Sequence, residues 1–186
     1  MCIYGLIILE KLITGGSTVA QQWKSIRIEQ KNNGMTDVEI TVVAMLLNAF
    51  PKTIQQNLAN SKANSFDRAL WKILDGALRK CNKYEGNKLY RAETIDNIKK
   101  YKKGETITHP YYLTTTSDEQ VAKNVAKTTF IWEIKTMGKN SKAVILPNLY
   151  RYGESQVEFP RGTKFKVIDI INANQNVPIL KVKELP

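Results

Sequence analysis

The chain has 186 residues, 42% of them apolar and 24% charged, with a formal net charge of +11. That is the balance of one soluble globular domain with a proper core, and its positive charge favours anionic partners: nucleic acid, a phosphorylated cofactor or an acidic protein surface. Two cysteines, Cys2 and Cys81, and one histidine, His109, exclude a disulfide framework and a nitrogen–sulfur metal cluster.

Residues 1–16, MCIYGLIILEKLITGG, are apolar but interrupted by Glu10 and Lys11. The run is too short to span a bilayer and lacks the positive charge that opens a signal peptide. It reads as a buried helix or strand, with a cleaved or membrane-touching segment as the alternative. Ser17 to Gln30 suits a helix, broken by Lys31, Asn32, Asn33 and Gly34. Thr36 with Glu39 three residues on forms a capping box. The helix it opens buries Ile40, Val43, Ala44, Leu47 and Phe50, and Pro51 stops it. Thr53 to Ala59 is a shorter helical segment. Asn64 or Ser65 caps the next helix, Phe66 to Lys80, whose apolar stripe is Phe66, Leu70, Ile73, Leu74, Ala77 and Leu78.

After Lys83 the texture changes. Lys88 to Ala92 reads as a strand entered through the Gly86-Asn87 turn, and Thr94 to Tyr101 as a short helix. Lys99 to Lys103 is a basic knot with two readings, a solvated turn or a phosphate contact with Tyr101 available for stacking. Thr106 to Thr108 and Tyr111 to Thr116 are strand-like, Ser117 to Lys127 helical with Ser117 as cap, and Thr128 to Lys135 an apolar strand. Gly138 to Lys142 is a turn and Ala143 to Leu146 a short buried strand. His109, beside Pro110, reads as a loop or strand-entry residue and not as a catalytic base. In the run YRYGESQVEFPRGTKFKV, from Tyr150 to Val167, Glu154, Gln156 and Glu158 alternate with Val157 and Phe159. Pro160, Arg161 and Gly162 make a turn, and a second alternating run follows, so a hairpin is expected. Pro178 to Lys183 is a further strand. Helices first and strands afterwards, without βαβ alternation, indicate an α+β fold. A single domain spans residues 1–186, mainly helical over residues 1–83 and β-rich over residues 84–186.

Three short motifs stand in order: Arg91 in Leu89-Tyr90-Arg91-Ala92-Glu93, Thr115-Thr116-Ser117 at the end of the next long strand, and Gln156-Val157-Glu158 in the hairpin. This set resembles the arginine, Ser-Thr-Ser and glutamate motifs of the mono-ADP-ribosyltransferases, over roughly residues 66–171. The resemblance implies N-terminal helices followed by a mainly antiparallel two-sheet β core with an NAD-binding cleft. It implies NAD as co-substrate, no metal, and cleavage of the nicotinamide–ribose bond. Glu158 would stabilise the oxocarbenium-like transition state, as a carboxylate does in glycoside cleavage. Arg91 would hold the cofactor's phosphates, for which a planar fork suits better than lysine. Tyr90 would flank that cofactor site. Thr115 would hydrogen-bond Glu158 or the ribose. Thr116 and Ser117 would support the strand-to-helix junction beside the cofactor.

Arginine-modifying members of the class carry Glu two residues before the catalytic Glu, where this chain has Gln156. The Gln form resembles members that modify asparagine or glutamine side chains, or guanine in DNA. Period-two geometry puts Glu154 on the same face, where it would substitute partly for the missing carboxylate. Tyr150 and Tyr152 lie in the loop that contacts the acceptor in the family. A target protein is the expected partner, nucleic acid an alternative one, with no membrane and a monomeric enzyme. Three rivals stay open: an NAD glycohydrolase, a transferase fold kept only for protein interaction, and a basic nucleic-acid-binding module without catalysis. Secreted toxins, injected effectors and phage-borne enzymes all use such domains, and the expected site of action is inside a cell.

Overall fold

The capping box at Thr36 starts a helix as its pattern requires. In the computed structural model the Thr36 N–H donates to Glu39 Oε2 at 2.7 Å, and the Glu39 N–H donates to Thr36 Oγ1 at 3.2 Å. Helix α1 (Asp37–Ala49) follows, burying Ile40, Val42, Val43 and Ala44. Helix α2 (Ser65–Leu78) opens on Asn64, whose side chain accepts from the Asp67 N–H while Asp67 accepts from the Asn64 N–H. Such a cap contributes about 1 kcal/mol. Leu70, Trp71, Leu74, Ala77 and Leu78 are buried on α2, whereas Phe66 is 57% exposed. The stripe is therefore rotated toward Trp71, and Phe66, in the first turn, lies outside it. Lys80 joins α2 to α1 by bonding both carboxylate oxygens of Glu39 at 2.8 Å.

The structure describes residues 27–49, 62–94, 96–125, 127–146, 156–171 and 177–186. The expectations for residues 1–16, most of the Ser17–Gln30 helix, the side chain of Leu47, Phe50, Pro51, Thr53 to Ala59, and Tyr150, Tyr152 and Glu154 lie outside them. The described residues fall in two compact units, one within 1–81 and one within 82–146 and 154–186. Among them, no helix is long and apolar enough to cross a membrane.

The second unit is built on one sheet. Its elements are β1 (Lys88–Glu93), β2 (Thr106–Thr108), β3 (Leu113–Thr116), the short helix α3 (Glu119–Lys123), β4 (Phe130–Lys135), β5 (Val144–Ile145), β6 (Gln156–Phe159), β7 (Lys164–Ile171) and β8 (Ile179–Glu184). Strand order is β2-β7-β8-β4-β1-β3-β6-β5, and every pair is antiparallel except β4 with β8. The α+β class holds, but the two sheets expected are joined into one ladder. The join is narrow: β1 and β3 share a single paired position, Tyr90 with Thr116. Around Thr94 to Tyr101 a single 3-10 turn, Ile98–Lys100, replaces the expected helix. The cap of α3 is Asp118, not Ser117.

The hairpin does not form. β6 pairs with β3 and β5, and β7 with β2 and β8. The turn between them is pinned elsewhere: Gly162 donates to the His109 carbonyl at 2.7 Å, and the His109 N–H donates to the Thr163 carbonyl at 2.9 Å. Gly162 takes φ 77°, a left-handed conformation that glycine adopts without penalty. With its turn tied to the β2–β3 connection, the chain places β6 next to β3 and β7 next to β2, in separate parts of the sheet. Phe159 and Phe165 then meet edge to face, with ring centroids 5.1 Å apart, instead of lying side by side on paired strands. They belong to a core of Leu89, Leu113, Phe130, Trp132, Ile134, Val157, Val167, Leu180 and Val182. Tyr101 is buried in this core, edge-on to Phe130 and Trp132, so it is not available to stack on a base. The surrounding lysines behave as a solvated turn, Lys100 pairing with Asp96 at 2.5 Å and Lys103 with Asp169 at 3.3 Å.

Candidate active site

The narrow join between β1 and β3 is where the motif residues gather. Thr114 pairs with Glu158 across β3 and β6, and Thr116 pairs with both Gln156 and Tyr90. Side chains alternate along a strand, so Tyr90, Thr114, Thr116, Gln156 and Glu158 share one face of the sheet. Thr115 points the other way. Its hydroxyl donates to the Val157 carbonyl at 2.6 Å, and the side chain is buried. The expected contact from Thr115 to Glu158 is therefore replaced: the threonine that faces Glu158 is Thr114. Three consecutive threonines carry no parity of their own, and only the β3–β6 register tells them apart. The helix cap at Asp118 was the available signal, since it makes Thr116 the end of the strand.

Thr116 receives the Asp118 N–H on its hydroxyl at 3.1 Å, at the junction with α3, while Ser117 is exposed. Arg91 reaches across the join, where its Nη1 donates to the Thr114 carbonyl at 3.1 Å. Its Nε lies 3.8 Å from Glu93 Oε2 and has no hydrogen-bond partner among the described residues.

Glu158 is 0% exposed, on a strand with neighbours on both sides, and is not the solvated edge residue that a hairpin would make it. Neither carboxylate oxygen meets a donor in full hydrogen-bond geometry among the described residues, although the Thr114 hydroxyl, paired opposite it, lies close enough to favour the charged form. Burial pushes its pKa up to about 8, against the opposing pull of the Thr114 hydroxyl and the Arg91 charge. Gln156 is half-buried beside it on the same face, with its carbonyl taken by the Leu146 N–H at 2.8 Å. His109 is structural in its contacts: Nδ1 bonds the Tyr111 carbonyl at 3.0 Å, and burial lowers its pKa to about 4. A cavity of about 480 Å³, lined by Glu93, Asp96, Tyr101, His109 and Trp132 among others, shares none of its lining with Glu158, Gln156 or Thr114.

At this join the buried side-chain atoms without a hydrogen bond among the described residues are Glu158 Oε1 and Oε2 and Arg91 Nε, the last 3.8 Å from Glu93 Oε2. A carboxylate can accept from hydroxyl groups, and an arginine Nε can donate to an anionic oxygen.

Residues 20–184 match the family described as ADP-ribosyltransferase exoenzyme. No curated protein matches the sequence. Solved structures share the fold at low identity. Exoenzyme S from Pseudomonas aeruginosa, solved with human 14-3-3 protein beta and bound to carba-NAD, is 14% identical, covers 97% of this chain and 88% of its own, and has a TM-score of 0.70. The Vis toxin from Vibrio splendidus, an ADP-ribosyltransferase, is 17% identical over 90% and 84% of the two chains, with a TM-score of 0.64. The C3 exoenzyme of Clostridium limosum is 18% identical over 83% and 88%, with a TM-score of 0.65.

Proposed function

Because the chain belongs to the ADP-ribosyltransferase exoenzyme family and is an NAD-dependent mono-ADP-ribosyltransferase, we propose that Glu158 is the carboxylate that stabilises its transition state. The observation that carries this reading is a fully buried glutamate whose two oxygens meet no donor in full hydrogen-bond geometry among the described residues, within the electrostatic reach of Arg91, which bonds the carbonyl of the facing Thr114. NAD supplies a ribose on which positive charge grows as nicotinamide leaves. Glu158, ionised, offsets that charge and fixes a ribose hydroxyl in a site from which water is excluded. Arg91 binds the diphosphate and, through the Thr114 carbonyl, ties β1 to β3 beside the reacting carbon. Thr114 orients the Glu158 carboxylate. Thr115 and Thr116 hold the strand and its junction, and Tyr90 lines the approach on the same face as Gln156.

The acceptor is a protein side chain of the amide type, asparagine or glutamine. Gln156 supports this choice. It occupies the position two residues before Glu158 on the same face, and an amide there meets another amide donor for acceptor, while offering a guanidinium no charge. The enzyme works as a toxin or effector inside a target cell, as the named relatives suggest.

The test incubates the protein with NAD labelled in its adenylate, together with peptides presenting Asn, Gln or Arg and with duplex DNA. Wild type should release nicotinamide and label the Asn or Gln peptide. Gln156→Ala should keep nicotinamide release within about threefold while label transfer falls at least tenfold. Label on the Arg peptide or on DNA would overturn the acceptor assignment, and nicotinamide release without label on any acceptor would make the chain a glycohydrolase. Unchanged nicotinamide release by Glu158→Gln would overturn the role of Glu158.

A further inference from the structure

Four lysines stand side by side across four adjacent strands. Lys88 on β1 pairs with Lys135 on β4, Lys135 with Lys183 on β8, and Lys183 with Lys166 on β7. All four are exposed. Like charges directly opposite one another destabilise a sheet, and this row repeats the clash three times. Lys88 has Glu133 at 3.6 Å. Among the described residues, no carboxylate pairs with Lys135, Lys166 or Lys183.

One row along, the same strands alternate charge. Asp169 on β7 faces Lys181 on β8, Lys181 faces Glu133 on β4, and Glu133 faces Tyr90 on β1. Lys103 pairs with Asp169 there, and Lys181 lies 3.9 Å from Glu133. The sheet thus neutralises one row and leaves its neighbour uniformly positive. Composition alone does not produce that difference.

We propose that the row Lys88, Lys135, Lys183 and Lys166 is a docking surface for the phosphate backbone of a nucleic-acid duplex. Adjacent strands lie about 4.8 Å apart, so three steps span about 14 Å. Over that length one strand of B-form DNA carries about four phosphates, at one per ~3.4 Å of axis. An acidic peptide strand carries about two outward carboxylates over the same length. A single file of cations fits a linear polyanion better than a planar lipid surface. Lysines act here as mobile point charges that read no base, so the docking is independent of sequence. It is also independent of which acceptor the enzyme modifies. The row lies two residues along β1 from Tyr90, which is paired through Thr116 to Gln156. A docked duplex therefore sits against the face that carries the active site by register.

The test measures binding of a fluorescent 20-base-pair duplex between roughly 50 and 200 mM salt. Three forms are compared: wild type, the triple variant Lys135→Gln/Lys166→Gln/Lys183→Gln, and a control of equal charge, Lys62→Gln/Lys72→Gln/Lys99→Gln. Each lysine on a phosphate contributes about 0.9 to the slope of log K against log salt. The row triple should therefore lose about 2.7 in slope, each of its single variants about 0.9, and the control much less. Nicotinamide release and melting temperature of the row variants should hold, which shows that they fold. Equal slopes for the row triple and the control would overturn the proposal. So would wild type binding polyglutamate, or vesicles rich in anionic lipid, more tightly than the duplex at the same salt.

Discussion

Two glutamates are buried to 0% in the same sheet, and they are treated in opposite ways. Glu184, at the end of β8, accepts from the Met137 N–H at 3.0 Å, the Ser141 hydroxyl at 2.8 Å and the Lys142 N–H at 2.7 Å. It ties the 137–142 turn to the strand, and its charge is surrounded by donors. Glu158, in β6, has no donor in full hydrogen-bond geometry among the described residues, only the neighbouring Thr114 hydroxyl. An unsatisfied buried carboxylate costs several kcal/mol. The first glutamate holds the fold together. The second opposes the fold, and in the role proposed for it a bound substrate would supply what the protein withholds.

The widest separation between the two should appear on conservative substitution. Glu184→Gln replaces an oxygen acceptor with an amide donor that faces buried N–H groups. It should cost about 3 kcal/mol and lower the melting temperature by roughly 6–12 °C, leaving turnover per folded molecule unchanged. Glu158→Gln should reduce nicotinamide release by about 10²–10³-fold while the melting temperature holds or rises. A matched loss of stability in both variants, followed by thermal melting, would erase the distinction.

The pH dependence sharpens the comparison. Glu158 keeps its proton in the folded chain up to about pH 8, whereas the unfolded chain releases it near the ordinary value of 4.5. Between those values the unfolded state holds fewer protons, so stability falls as pH rises, and the penalty is complete above about 8. Glu158→Gln lacks this slope. Its melting temperature relative to wild type should climb from pH 5 to pH 9. Over the same range kcat/KM for NAD in wild type should rise toward a plateau above pH 8, as the ionised carboxylate becomes available. A flat difference in melting temperature, or a profile already level at pH 6, would show that the folded site ionises Glu158 normally.

A smaller contrast separates neighbouring threonines. Thr114→Val removes the hydroxyl that pulls the Glu158 pKa down, so turnover should fall about tenfold and the pH profile should move upward. Thr115→Val leaves the Val157 carbonyl without its donor and should cost about 1 kcal/mol of stability with turnover intact. The reverse assignment of effects would mean that β3 is paired one residue out of register.

That pair also marks where reading the chain unaided stops. Alternation and caps located β1, β4, β8 and both long helices, because each has an apolar face or a capping side chain that works within a few residues. Arg91, Gln156 and Glu158 stand out only as members of a motif set that resembles a known family; singly each reads as an ordinary strand residue, and the structure adds that Gln156 and Glu158 share one face of β6. The pairing of β6 with β3 was not visible, since it joins segments far apart and depends on His109 clamping the turn at Gly162 and Thr163. The swap of Phe66 for Trp71 on α2 has a similar origin. Both residues are large and apolar, and only the packing partner decides which is covered. Tyr101, set among lysines, looked like a surface ring, and only the core beneath it shows otherwise.

The parallel pairing of β4 with β8 has a consequence for how the molecule is assembled. Ile131 is held beside Ile179, and Trp132 beside Leu180, across a long intervening stretch of chain. Contacts so distant in sequence are late and slow to form. Until β8 arrives, β4 is an open edge reading Phe130-Ile131-Trp132-Glu133-Ile134-Lys135, an apolar strand with one side of its backbone unpaired. A chain emerging from the ribosome carries that adhesive edge through the whole synthesis of β5, β6 and β7. Its yield should therefore depend on holdase chaperones that mask the edge during that interval more than on the stability of the finished sheet.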